Sequence, residues 1–217
     1  MIMKNVTVVN HPVLKHNLAV IRNKTTTREQ FLSAFKKISY FLLETAFLKL
    51  PTKTVLIETP LETMKTKVID EKYTYIIAPI LRAGLALTET AIELLPQAHV
   101  LHVGMYRDEK TKKPVWYYDK TPDELPQKTK VFILDPMLAT GGSALASVEL
   151  FQKKGVNIKD IVFISVLSAP EGIKTLKTAY PDLKIVTGDV DKCLNNNAYI
   201  VPGLGDAGDR YFNSLIP

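Results

Sequence analysis

Val131-Phe-Ile-Leu-Asp-Pro-Met-Leu-Ala-Thr-Gly-Gly-Ser143 is an apolar run that ends in an acid and then in a Thr-Gly-Gly-Ser turn. Residues 131–134 read as a strand buried on both faces, as in a parallel sheet. From Ser143 onward Ala144, Leu145, Val148, Leu150 and Phe151 suit a helix. The loop between strand and helix therefore lies at the carboxyl end of a strand, where open α/β sheets bind ligands. Gly141 and Gly142 let the backbone curl closely round an anion, the helix start offers unpaired N–H groups, and Thr140 and Ser143 add neutral donors. Asp135 repels phosphate but can accept hydrogen bonds from sugar hydroxyls, so the stretch suits a sugar phosphate. With no lysine in the loop, it is a poor match to a nucleotide P-loop.

Outward from this loop, strand and helix patterns alternate. Strands are expected at 73–77, 100–103, 131–134, 161–167 and 183–186, with helices at 85–95, 143–154 and 170–180. That order predicts an α/β fold, a twisted, mainly parallel sheet with helices on both faces. Upstream, Thr26 or Thr27 begins a long helix, because Glu29 and Gln30 fall where a capping box needs them, and Pro51 ends it. Residues 55–57 and 67–69 suggest two short strands flanking Thr59-Pro60. The segment 106–130 breaks the pattern with charge, three prolines and Trp116-Tyr117-Tyr118, and is read as a projecting β-arm or lid, or else as a plain surface insertion.

At 217 residues with 46% hydrophobic content, the chain can bury a sizeable core as one domain, 1–217. Residues 1–5 carry no apolar signal core, and the longest apolar stretch, 161–167 with Ser165 inside it, is far shorter than a membrane span, so a soluble, cytoplasmic protein is expected. Cys193 is the single cysteine, which excludes an internal disulfide and a multi-cysteine zinc site. His11, His16, His99 and His102 show no zinc-like clustering and are read as structural. A net charge of +6 and a pI near 9.2 favour anionic ligands in general and decide little alone.

The loop 135–143 resembles the phosphoribosyl-pyrophosphate (PRPP) loop of type I phosphoribosyltransferases. Most members carry two adjacent acids, whereas here Pro136 follows Asp135, a form similar to the uracil phosphoribosyltransferase branch. Ile80-Leu-Arg-Ala-Gly84, Gly104-Met-Tyr-Arg-Asp-Glu109, Ala169-Pro-Glu-Gly172 and above all Tyr199-Ile-Val-Pro-Gly-Leu-Gly-Asp-Ala-Gly-Asp-Arg210 carry the same resemblance, which runs from His11 to Tyr211. It implies the type I phosphoribosyltransferase fold with a flexible arm at 106–130 and a small base-binding hood, the uracil-binding segment 188–217. The implied reaction transfers the phosphoribosyl group of PRPP to uracil, giving UMP and diphosphate, with Mg²⁺ arriving on PRPP. By resemblance, PRPP is held by Arg82, Arg107, Asp135, Pro136, Met137, Leu138, Ala139, Thr140, Gly141, Gly142, Ser143 and Asp206. Asp135 takes the ribose hydroxyls and 139–143 the 5′-phosphate, while Met137 and Leu138 read as packing residues. Arg107, Asp135 and Asp206 are the expected catalytic residues, and Ile200, Gly205, Asp206 and Ala207 the expected uracil pocket.

The displacement at C1 needs no protein nucleophile; it needs held anions, a positioned base and cations for the leaving group, a task that arginine forks suit. Small residues at 203–209 let main-chain groups lie against a pyrimidine edge. The formal Gly203-x-Gly205-x-x-Gly208 match to a dinucleotide motif fails, because no long helix or βαβ unit contains it. Asp206 either assists loss of the N1 proton or orders the metal's waters, and Asp209 with Arg210 reads as a local ion pair. The chain departs from the family at Leu43-Glu44-Thr45, where Tyr-Glu-Ala is common, and at Ala198, where glycine is common. A homo-oligomer, dimer or tetramer, and a GTP effector are further implications of the resemblance. The rivals are a phosphoribosyltransferase for another base and an RNA-binding regulator on the same fold. Lys36-Lys37, Lys110, Lys112-Lys113 and Lys153-Lys154 are too dispersed for a basic RNA face, so no specific nucleic-acid partner and no membrane are expected.

Overall fold

The computed structural model describes residues 4–107, 114–119 and 121–214, with the side chains at 106, 107, 114–116, 118 and 119 outside that description. Strand β1 (Val6–Val8) leads into helix α1 (Pro12–Arg22), followed by helix α2 (Arg28–Phe47). Proline at the first position of α1 leaves no N–H unpaired there, and the His11 ring caps the helix by accepting from the Val13 N–H at 3.1 Å. Helix α2 starts with the expected capping box, Thr27 and Gln30 each accepting from the other's N–H.

Strands β2 (Thr52–Glu58) and β3 (Thr63–Ile69) form an antiparallel ribbon in which Thr52 faces Ile69 and Glu58 faces Thr63. It pairs with neither edge of the main sheet, and Leu56 and Leu61 on it are 65% and 95% exposed.

The remaining elements are β4 (Thr74–Leu81), α3 (Leu85–Leu94), β5 (His99–Val100), β6 (Val103–Arg107), β7 (Pro114–Asp119), β8 (Thr129–Leu134), β9 (Met137–Leu138), α4 (Gly142–Lys153), β10 (Ile161–Ser168), α5 (Pro170–Ala179), β11 (Lys184–Val190), β12 (Cys193–Leu194), β13 (Ile200–Val201) and α6 (Ala207–Phe212). The main sheet runs β1-β11-β10-β8-β4-β6-β7, every pairing parallel except β6 with β7. The strand expected at 100–103 divides instead: β5 ends at Val100, β6 begins at Val103, and both lie along β4. The arm expected over 106–130 is entered by β6 and left by β7; its tip, 108–113, falls outside the described residues. Its expected end is corrected, because Thr129 and Lys130 already pair with β4 as part of β8.

Strand side chains alternate between two cores, as a doubly covered sheet requires. Tyr75, Ile77, Phe132, Leu134, Ile164 and Val186 pack beneath α1, α2 and α3 with Leu18, Phe35, Leu42 and Leu87. Ile76, Ala78, Val131, Ile133, Phe163 and Ile185 pack on the opposite side beneath α4 and α5 with Val148, Phe151, Ile173 and Leu176. Phe163 is wholly buried in the second core. Phe163→Ala is expected to cost about 3–5 kcal/mol of unfolding free energy by urea titration. Helix α3 leaves β4 on the first face and α4 leaves β8 on the second, while β4 and β8 are neighbours. The crevice at their carboxyl ends is therefore a topological switch point, where a ligand fits between diverging connections.

Candidate active site

After β8 the chain is stapled to β10 before it turns. The Asp135 N–H donates to the Ile164 carbonyl at 3.1 Å, and the Pro136 carbonyl accepts from Val166 and Leu167 at 2.9 and 3.0 Å. Met137 and Leu138 then pair with Leu167 and Ser168 as β9. Leu138 enters the second core and the partly buried Met137 packs against the first, as expected of packing residues, and Met137 also lines a cavity. Gly141 takes φ +85°, a left-handed turn that a side chain resists, and α4 starts at the next residue. No side chain caps α4, so its first-turn N–H groups remain available to an anion. The Thr140 hydroxyl accepts from the Gly142 N–H at 3.5 Å, at the limit of a hydrogen bond.

Helix α5 fixes the height of this loop. A Cβ on Gly172 would stand 2.5 Å from the Ala139 carbonyl oxygen and 2.9 Å from that of Leu138. Only glycine lets the helix approach so closely, which gives Ala169-Pro-Glu-Gly172 a physical role that its residue types alone do not reveal.

Asp135 is half-buried at the mouth of the loop. Burial pushes its carboxyl up to about 7, partly offset by the Met137 N–H donating at 3.5 Å. The carboxyl thus changes charge near neutral pH, where a group that binds sugar hydroxyls or a metal is useful.

Opposite the loop, β12 and β13 form a small antiparallel pair, and the chain turns through a cis Val201–Pro202 peptide with Gly203 and Gly205 at φ +61° and +84°. Asp206 caps the short α6 by accepting from the Asp209 N–H at 2.9 Å. Between loop and turn lies a cavity of about 210 Å³. Asp135, Met137 and Ala139 line one side, Ile200, Gly205, Asp206 and Ala207 the other. Residues more than sixty positions apart in sequence therefore meet at the carboxyl edge of the sheet. Ala198 joins the wall in a left-handed conformation, φ 63°, that its methyl group disfavours.

Arg82 follows β4 in the turn closed by the Gly84 N–H donating to the Ile80 carbonyl at 2.8 Å, and the Leu81–Arg82 peptide is cis. Its guanidinium meets Asp209 at 3.4 Å, which corrects the expected Asp209–Arg210 pair. Arg210 points away, donating to the carbonyls of Ile21, Leu204 and Asn23. Arg107 ends β6, and its side chain lies outside the described residues. Among the described residues no three His, Cys, Asp or Glu side chains cluster as a metal site, and no helix is long and apolar enough to cross a membrane.

A family model described as uracil phosphoribosyltransferase matches residues 8–214. A uracil phosphoribosyltransferase of Dictyoglomus thermophilum is 48% identical over 209 residues, covering 96% of this chain and 99% of the relative. The solved AQ2163 protein of Aquifex aeolicus superposes with a TM-score of 0.87 at 30% identity, covering 98% of this chain and all of that one. An adenine phosphoribosyltransferase of Trypanosoma brucei, solved with AMP, pyrophosphate and ribose-5-phosphate, shares the fold at a TM-score of 0.58 and 13% identity, covering 94% of this chain and 89% of that one.

Proposed function

The chain belongs to the uracil phosphoribosyltransferase family, and from that premise we propose that the crevice between β4 and β8 holds PRPP and uracil side by side for direct transfer. One observation carries this reading: the Asp135 loop and the Gly205–Ala207 turn face each other across a single cavity. The ribose hydroxyls lie on Asp135 and the 5′-phosphate on 139–143, where the uncapped start of α4 supplies N–H donors. Uracil lies against Ile200, Gly205 and Ala207, its N3–H and carbonyls met by main-chain groups whose pattern cytosine would reverse.

As uracil N1 bonds to C1, the C1–O bond to pyrophosphate breaks, the electron pair leaves with pyrophosphate, and the N1 proton is lost. Asp206 commits one carboxylate oxygen to capping α6, which leaves the other free to take that proton or order a water. Arg82 and Arg107 serve the leaving group. Arg82 is exposed while Asp209 is partly buried, and pairs near the surface are worth only about 0–1 kcal/mol, so pyrophosphate can displace Asp209. Asp135 and Asp206 are oxygen donors lining the same cavity and suit a hard cation that keeps most of its water, without a protein cage. Bound Mg²⁺ would neutralise charge growing on the leaving pyrophosphate. The exposed apolar side chains Leu56, Leu61 and Met64 of the β2–β3 ribbon favour a homo-oligomer.

The arginine assignment is tested by steady-state kinetics of Arg82→Ala and Arg107→Ala. Each is expected to lower kcat by more than about tenfold, equivalent to ~1.4 kcal/mol of barrier. Unchanged kinetics in either variant would remove that arginine from the mechanism.

A further inference from the structure

The turn assigned to uracil hangs from the end of α1, an element that contributes no residue to the cavity wall. The Arg22 guanidinium donates from Nη1 to Asp191 Oδ2 at 2.8 Å and to the Gly203 carbonyl at 3.0 Å, and from Nη2 to Asp191 Oδ1 at 2.6 Å and Asp189 Oδ2 at 3.2 Å. Asp191, 8% exposed, accepts in turn from the Gly203 N–H at 2.8 Å. Both main-chain polar groups of Gly203 are thus held by one ion pair. Arg210 reaches the other way from α6, donating to the Ile21 and Asn23 carbonyls at the end of α1 and to the Leu204 carbonyl at 2.8 Å, with its guanidinium 4.5 Å from the Phe31 ring centre. Two arginines therefore tie the end of α1 to Gly203 and Leu204, the residues just before Gly205.

Recognition by main-chain groups requires the turn to be placed within about half an ångström. An ion pair of this kind is a weak source of stability, because apolar replacements of similar volume often serve the fold as well. Here its hydrogen bonds go to the backbone of a turn that bends through two left-handed glycines beside the cavity. We propose that Arg22 with Asp191, and Arg210 from the opposite side, are positioning residues that set base affinity and selectivity without touching the base. The proposal rests on assigning the Gly205–Ala207 turn to uracil.

The test compares kinetics of the full-length Arg22→Lys and Arg210→Lys variants with an apolar double variant, Arg22→Met/Asp191→Leu, and a cavity-wall variant, Ile200→Ala. Lysine keeps the charge but cannot copy the fork. The expected result is a KM for uracil raised about tenfold or more in the lysine and double variants, with kcat and the KM for PRPP within about twofold and the preference for uracil over cytosine reduced, as loss of ~1.4 kcal/mol in placed hydrogen bonds implies. An unmoved uracil KM in folded lysine and double variants overturns the proposal. So does a joint drift of kcat and both KM values with thermal midpoint, or loss of fold in all three, since either assigns the residues to stability alone. A raised uracil KM in Ile200→Ala alone means that only the clamp has failed; if that wall variant is also silent, the pocket assignment itself has failed.

Discussion

Asp135→Asn is expected to lower kcat/KM for PRPP by roughly ten- to a hundredfold, because an ionised acceptor contributes about 1.5–3 kcal/mol to a hydrogen bond that the amide makes more weakly. The wild-type protein should lose the same parameter as pH falls through about 7, where the half-buried carboxyl takes up its proton, and the Asn variant should lack that limb. Stability moves in the opposite sense. The folded protein binds this proton more tightly than the unfolded chain, whose carboxyl titrates near 3.8. Stability is therefore fully present below about 3.8 and is lost as pH rises through about 7. Free of ligands, Asp135→Asn should melt at a higher temperature than wild type at pH 8, and the gap should close toward pH 4. A variant that is both less active and no more stable at pH 8 would show that burial does not strain this carboxylate.

Gly172→Ala is the other large expected effect, and it comes from a residue outside the cavity lining. The added methyl meets two carbonyl oxygens of the loop, those of Ala139 and Leu138, at 2.5 and 2.9 Å. Either α5 or the loop must move. The expected outcome is a KM for PRPP raised at least about tenfold, with a stability loss of about 1–3 kcal/mol from overpacking and a smaller change in the uracil KM. Gly155→Ala is the control: its φ is +90°, but no atom of the described residues lies within 4 Å of the new methyl, so it should cost about 1 kcal/mol of strain and leave the kinetics unchanged. Equal effects of the two substitutions on PRPP would contradict the role given to α5.

What could be read from the sequence followed burial. Strands β4, β8 and β10 are covered on both faces and announce themselves as nearly continuous apolar runs; β11 is legible only at its apolar start, because Gly188 and Asp189 hide the rest. Helix α1, absent from the expected elements, does carry a signal in Pro12 at its start and Leu14, Leu18 and Ile21 at helical spacing. The three-residue β1 and the two-residue β12 and β13 are too short for any periodicity to show. The loop proposed to hold the 5′-phosphate is legible because strand, turn and helix are contiguous. The base turn was legible only through resemblance, since its glycine-rich motif alone fits several chemistries. Partnerships across the fold could not be read: Arg22 finds Asp191 169 positions away, and Asp209 chooses Arg82 over its neighbour Arg210. Tertiary geometry, not local pattern, decides such pairs.

The most direct measurement is UMP formation from uracil and PRPP, with and without Mg²⁺, run beside cytosine, hypoxanthine and orotate. Metal-dependent turnover of uracil alone is the predicted result. Turnover of another base in its place would keep the phosphate loop and contradict the assignment of the Gly205–Ala207 turn, and PRPP binding without turnover of any base would contradict the transfer reaction itself.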